Sequence, residues 1–109
     1  MKWIRVTSTE NIPLREGRSV RIGEDEIAIF NLGEGEFVAV DNACPHRGGP
    51  LCDGIVSGKV VTCPLHGYKV CLETGHVVKP EIAVKVGSYP VRVEDGVVLV
   101  EFAKREKAA

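Results

Sequence analysis

Asn42-Ala43-Cys44-Pro45-His46-Arg47-Gly48-Gly49-Pro50-Leu51 and, further along, Cys63-Pro64-Leu65-His66-Gly67-Tyr68 are the two pieces of this chain around which the rest is organised. Each piece offers one thiol and one imidazole. Sixteen residues, 47 to 62, separate His46 from Cys63, so the pattern is C-x-H-x16-C-x2-H. That is a metal-ligand spacing.

An asymmetric iron-sulfur cluster asks for one Cys and one His on each of two loops. If the loops lie side by side, Cys44 and Cys63 hold one iron while His46 and His66 hold the other, two His replacing two Cys. Zinc also accepts Cys2His2 ligation, but its usual spacing groups Cys with Cys and His with His, often with His on a helix. No such helix is evident here. A third reading has buried thiols and hydrogen-bonded imidazoles with no metal, since free Cys is among the most buried residue types. Spacing favours the first of these readings and leaves the other two open.

The residues around the ligands resemble the Rieske [2Fe-2S] family. Arg47-Gly48-Gly49-Pro50-Leu51 continues the first loop, Gly67-Tyr68 continues the second, and Leu72-Glu73-Thr74-Gly75 closes the hairpin behind it. Together with Tyr89-Pro90-Val91-Arg92-Val93-Glu94-Asp95-Gly96, the pattern is most similar to the small subunits of assimilatory NAD(P)H-dependent nitrite reductases, from about Val6 to Phe102. The resemblance implies a [2Fe-2S] cluster on Cys44, His46, Cys63 and His66. It implies electron transfer to or within a large catalytic subunit that carries FAD, siroheme and a [4Fe-4S] cluster and reduces nitrite to ammonium. The chain would then be part of an enzyme and not catalytic alone. The alternative within the same family is a free Rieske-type ferredoxin passing electrons from a ferredoxin reductase to a ring-hydroxylating oxygenase. In high-potential relatives a loop-linking disulfide occupies the positions of Gly49 and Leu65, and Ser and Tyr hydroxyls occupy those of Tyr68 and Val70. Their absence here implies a low-potential site, near the bottom of the roughly −150 to +300 mV Rieske range.

The whole chain sets wider bounds. Its 109 residues allow one domain, residues 1–109, with one modest core. With 44% hydrophobic and 27% charged residues and a net charge of −1, the composition is that of an ordinary globular protein. That balance favours neither nucleic acid nor an anionic membrane as a partner. Met1-Lys2-Trp3-Ile4-Arg5 lacks the apolar run of a secretory signal, and no segment approaches the length of a membrane-spanning helix, so a cytoplasmic location is expected. Cys52 and Cys71 are then expected to be reduced, non-ligating thiols. No GxGxxG fingerprint is present for a dinucleotide, and no nucleophile with an adjacent base or paired-carboxylate site stands out. No residue is assigned a catalytic role. Asp41 and Asp53 are assigned capping or turn roles, and His76 a surface position.

The fold reads as all-β. Trp3 to Thr7 alternates as a first strand, and Pro13 then breaks the ladder because it cannot donate a hydrogen bond. Arg15 to Arg18 is a polar loop. Ser19 to Ile22, Glu26 to Leu32 and Glu36 to Val40 are β-branched runs separated by Gly23-Glu24-Asp25 and Gly33-Glu34-Gly35, a three-strand meander. A turn and a β-branched strand through Thr62 deliver Cys63. Lys69 to Leu72 and His76 to Val78 form a further hairpin, and Pro90 to Val93 and Val97 to Phe102 form another across Asp95-Gly96. Eight to ten short strands in an antiparallel sandwich or partial barrel are expected. The family resemblance further implies a cluster-binding subdomain, about residues 42–80, inserted into a base of residues 1–41 and 81–109. The ligand spacing itself predicts two irons and two acid-labile sulfides per chain in protein prepared without oxygen, measured by metal and sulfide analysis. Zinc with no labile sulfide would overturn it.

Overall fold

The computed structural model describes residues 2–43, 50–65 and 67–102. In chain order their strands are β1 (Lys2–Ser8), β2 (Gly17–Ile22), β3 (Asp25–Gly33), β4 (Glu36–Asp41), β5 (Ile55–Ser57), β6 (Val60–Thr62), β7 (Lys69–Cys71), β8 (Val77–Lys79), β9 (Ser88–Tyr89), β10 (Val91–Glu94) and β11 (Val97–Phe102). Among the described residues the only helical pieces are 3-10 turns at Thr9–Asn11 and Leu51–Asp53. The all-β expectation holds, with eleven strands among the described residues where the sequence predicts eight to ten.

Three antiparallel sheets result, ordered β1-β11-β10, β2-β3-β4-β9 and β5-β6-β7-β8. The middle one decides the layering. Successive side chains of a strand point to opposite faces, so a strand covered on both sides reads as an unbroken apolar run. Ile27-Ala28-Ile29-Phe30 in β3 is such a run, and all four side chains are buried. Ile27 and Ile29 join Ala39 in packing against Ile12, Val98, Val100 and Phe102. Ala28 and Phe30 join Val40 in packing the other way, against Leu51, Val61, Cys63, Val70 and Leu72. By contrast, β11 buries Val98, Val100 and Phe102 while Val97, Leu99 and Glu101 stay half-buried, the alternation of a strand covered on one side.

Turn chemistry sets the hairpin registers. Asp95 and Gly96 both have positive φ, 51° and 76°, as a type I′ turn requires, and Glu94 pairs with Val97 across them. Two differences from the sequence expectation have local causes. Gly17 and Arg18, expected in a loop, open β2 because Gly17 lies opposite Phe30, where a Cβ would stand 2.6 Å from the ring. The two-residue β9 carries too little pattern to be read from sequence and exists by pairing with Ala39 and Val40 of β4.

Gly75 closes the β7–β8 connection at φ 82°, and a Cβ there would meet the Val86 carbonyl oxygen at 2.1 Å. Gly58, at φ 60°, has open space around it. Gly58→Ala is therefore expected to cost only the left-handed backbone penalty, about 1–2 kcal/mol. Gly75→Ala adds a backbone clash and should cost more than about 3 kcal/mol in urea unfolding. Equal losses would show that residues 75 and 86 move apart freely.

Candidate metal centre

The two segments that carry the candidate ligands are bounded by paired feet. Ala43 and Pro50 form an isolated antiparallel bridge that closes the six residues 44–49. Thr62 and Lys69, paired between β6 and β7, close the six residues 63–68, and the Cys63 N–H donates to the Tyr68 carbonyl at 2.7 Å. Gly67 adopts φ 74°, and its N–H donates to the Cys63 carbonyl at 3.2 Å, tightening the second loop.

The feet are also joined to each other. Pro50 runs into the Leu51–Asp53 turn and then β5, whose first residue, Ile55, pairs with Thr62, the residue before Cys63. Between them Gly54 presses on β6, where a Cβ would stand 2.4 Å from the Thr62 oxygen and 2.7 Å from Val61 Cγ2. Any larger residue would pry the exit of one loop from the entrance of the other.

Cys63 is 3% exposed, in the core with Leu51, Val61, Val70 and Leu72, whereas Leu65 two residues on is 53% exposed. The second loop thus climbs from the interior to the surface within three residues. Cys44, His46 and His66 lie outside the described residues, as do Arg47, Gly48 and Gly49. Among the described residues no group of three or more His, Cys, Asp or Glu is placed to hold a metal elsewhere. Neighbouring loop feet and a buried thiol at the mouth of one loop fit a cluster held by thiol and imidazole donors.

Two polar residues beside the first loop matter more than their sequence suggested. The Asp41 carboxylate accepts the Gly87 N–H at 2.7 Å and the Tyr89 hydroxyl at 2.5 Å, which ties β4 to β9. Its expected capping or turn role is therefore replaced by a long-range lock. Asn42 is 3% exposed with every polar group of its side chain satisfied, and nothing in its local sequence marks it. Asp53 does lie in a turn, its N–H donating to Pro50 at 3.0 Å, and His76 is exposed.

Cys52 and Cys71 are free, half-buried thiols in opposite environments. Burial and the Asp53 carboxylate push the Cys52 thiol up, against weaker help from Ser19 and Asn42. At Cys71 burial acts the same way, but hydrogen bonds from the Thr74 hydroxyl and from backbone at Thr74 and Glu73 outweigh it and hold the thiol below its usual range.

Comparison with known proteins adds to this geometry. A family model described as a Rieske-like [2Fe-2S] domain matches residues 2–101. The biphenyl dioxygenase ferredoxin subunit of Pseudomonas sp. (strain KKS102) is 35% identical over 105 residues, 95% of either chain. The Sphingomonas yanoikuyae B1 ferredoxin is 27% identical over 94% of this chain and 100% of its own, with a TM-score of 0.83. A structure described as a putative NADH-dependent nitrite reductase small subunit from Mycobacterium tuberculosis is also 27% identical, over 94% of this chain and 96% of its own, with a TM-score of 0.82.

Because the thiolate is the nucleophile, the contrast between Cys52 and Cys71 is directly measurable. Alkylation by iodoacetamide, followed by peptide mass spectrometry, should reach its plateau rate at lower pH for Cys71 than for Cys52. Thr74→Val should move the Cys71 profile up in pH. Coincident profiles would show that the Thr74 hydroxyl does not reach the sulfur in solution.

Proposed function

The chain belongs to the Rieske-like [2Fe-2S] domain family, and on that premise we propose that Cys44, His46, Cys63 and His66 hold its cluster and that it serves as the small subunit of an NAD(P)H-dependent nitrite reductase. The cluster-binding subdomain is about residues 42–80, on a base of 1–41 and 81–109. When bound, such a cluster takes up and releases one electron at a time. The chain's own residues do the rest: β6 delivers Cys63 into the core, and pairing through β5, β6 and β7 joins the feet of the two loops. The large catalytic subunit supplies FAD, siroheme, a [4Fe-4S] cluster and the multi-electron chemistry on nitrite.

The observation that carries this reading is the pair of loop motifs, Cys44-Pro45-His46-Arg47-Gly48-Gly49-Pro50-Leu51 and Cys63-Pro64-Leu65-His66, with the Tyr89 to Gly96 run behind them. The likeness to the Mycobacterium tuberculosis structure over nearly the whole of both chains supports it. A second reading, a free ferredoxin between a ferredoxin reductase and a ring-hydroxylating oxygenase, is favoured by the higher identity to the biphenyl dioxygenase ferredoxin subunit. Both make the chain a one-electron relay without an active site of its own.

Co-purification from the native host separates them. Stable association with a siroheme protein, and loss of NAD(P)H-dependent nitrite reduction when this chain is omitted, are expected. Recovery with an oxygenase and unchanged nitrite turnover would transfer the assignment to the ferredoxin.

A further inference from the structure

We propose that Asn42 is the positioning residue of the first ligand loop, a buried carboxamide that fixes both feet of residues 44–49 against β3 and thereby sets how that loop meets the second. The inference rests on the assignment of Cys44 and His46 as ligands. Four hydrogen bonds carry it. On the entry side, the Asn42 N–H donates to the Glu26 carbonyl at 3.0 Å and Nδ2 donates to Glu26 Oε1 at 2.9 Å. On the exit side, the Asn42 carbonyl accepts the Leu51 N–H at 2.7 Å, and Oδ1 accepts the Cys52 N–H at 2.9 Å.

One residue thus spans the loop it precedes, joining strand, entry and exit. The partners also dictate the side chain. The Cys52 N–H needs an acceptor and the exposed Glu26 carboxylate offers one to Nδ2, while Asn42 itself is 3% exposed, so its carboxamide depends on these partners rather than on water. A carboxamide of this length meets both demands. Aspartate keeps the acceptor but turns a carboxylate toward Glu26, whereas alanine leaves the Cys52 N–H unpaired. Substituting the Asn42 side chain removes one bond on each side of residues 44–49, keeps the two backbone bonds and the Ala43–Pro50 bridge, and leaves the Ile55–Thr62 ladder beneath the second loop intact.

The test uses anaerobically purified holo-protein and three readouts: the rate of cluster loss to an iron chelator, the electron paramagnetic resonance spectrum of the reduced cluster, and the thermal midpoint. Asn42→Ala and Asn42→Asp are expected to lose the cluster about tenfold faster and to broaden the spectrum. Adding Glu26→Gln to Asn42→Asp restores a donor facing an acceptor with the direction reversed, and should return both readouts to within about twofold of the parent. Val100→Ala, in the other core, controls for general destabilisation and should lower the midpoint without changing the spectrum. Unchanged release and spectrum in Asn42→Ala, failure of Glu26→Gln to rescue Asn42→Asp, or equal release from Val100→Ala would each overturn the proposal. Cys44→Ser tests the underlying ligand assignment separately. If that variant keeps two irons and two sulfides, the assignment falls whatever Asn42 does.

Discussion

Burial of β3 on both faces is the constraint from which the rest of this structure follows. Ile27 and Ile29 belong to one core, and Ala28 and Phe30 to the other. Fully burying side chains of this size contributes roughly 1.5–3 kcal/mol each, so neither face can be stripped without unfolding the strand. The β1-β11-β10 sheet and the β5-β6-β7-β8 sheet therefore do not touch the middle layer as optional neighbours. Each completes a core that the same four consecutive residues begin.

That arrangement also anchors the feet of the two candidate ligand loops. Loops rich in Gly and Pro carry few backbone ladder bonds of their own, and position must come from what they are attached to. Here the attachment is twofold: apolar, through Leu51 and Cys63 in the core over Phe30, and polar, through Asp41 and Asn42 at the end of β4. Gly54 lets the two attachments converge by bringing the backbone after the first loop against Thr62. The buried thiol of Cys63 and the exposed Leu65 of the same loop place the interior and the surface two residues apart.

The same scaffold occurs in a ferredoxin and in a structure described as a putative nitrite reductase small subunit. The chain superposes closely on both, with TM-scores of 0.83 and 0.82. Function in such families resides in the site and its surroundings rather than in the architecture.

The sequence by itself determined the all-β class, most of the hairpins and the spacing of the four candidate donors. Each of these is written in short-range chemistry: period-two alternation, the positive-φ turn at Asp95-Gly96, and the geometry that Cys and His impose on a metal. Tertiary structure alone decided the layering, the pairing of β9, the entry of Gly17 into β2, and the roles of Asp41 and Asn42. A run such as Ile27 to Phe30 announces burial on both sides but not by what, since that depends on segments some seventy residues away, such as Val98 and Val100. Asp41 and Asn42 read as ordinary loop polar residues because their partners, Gly87, Tyr89, Glu26 and Cys52, become neighbours only once the sheets have formed. A hydrogen bond to a distant partner leaves no periodicity in the chain, so only folding can reveal which polar side chains hold the site in place.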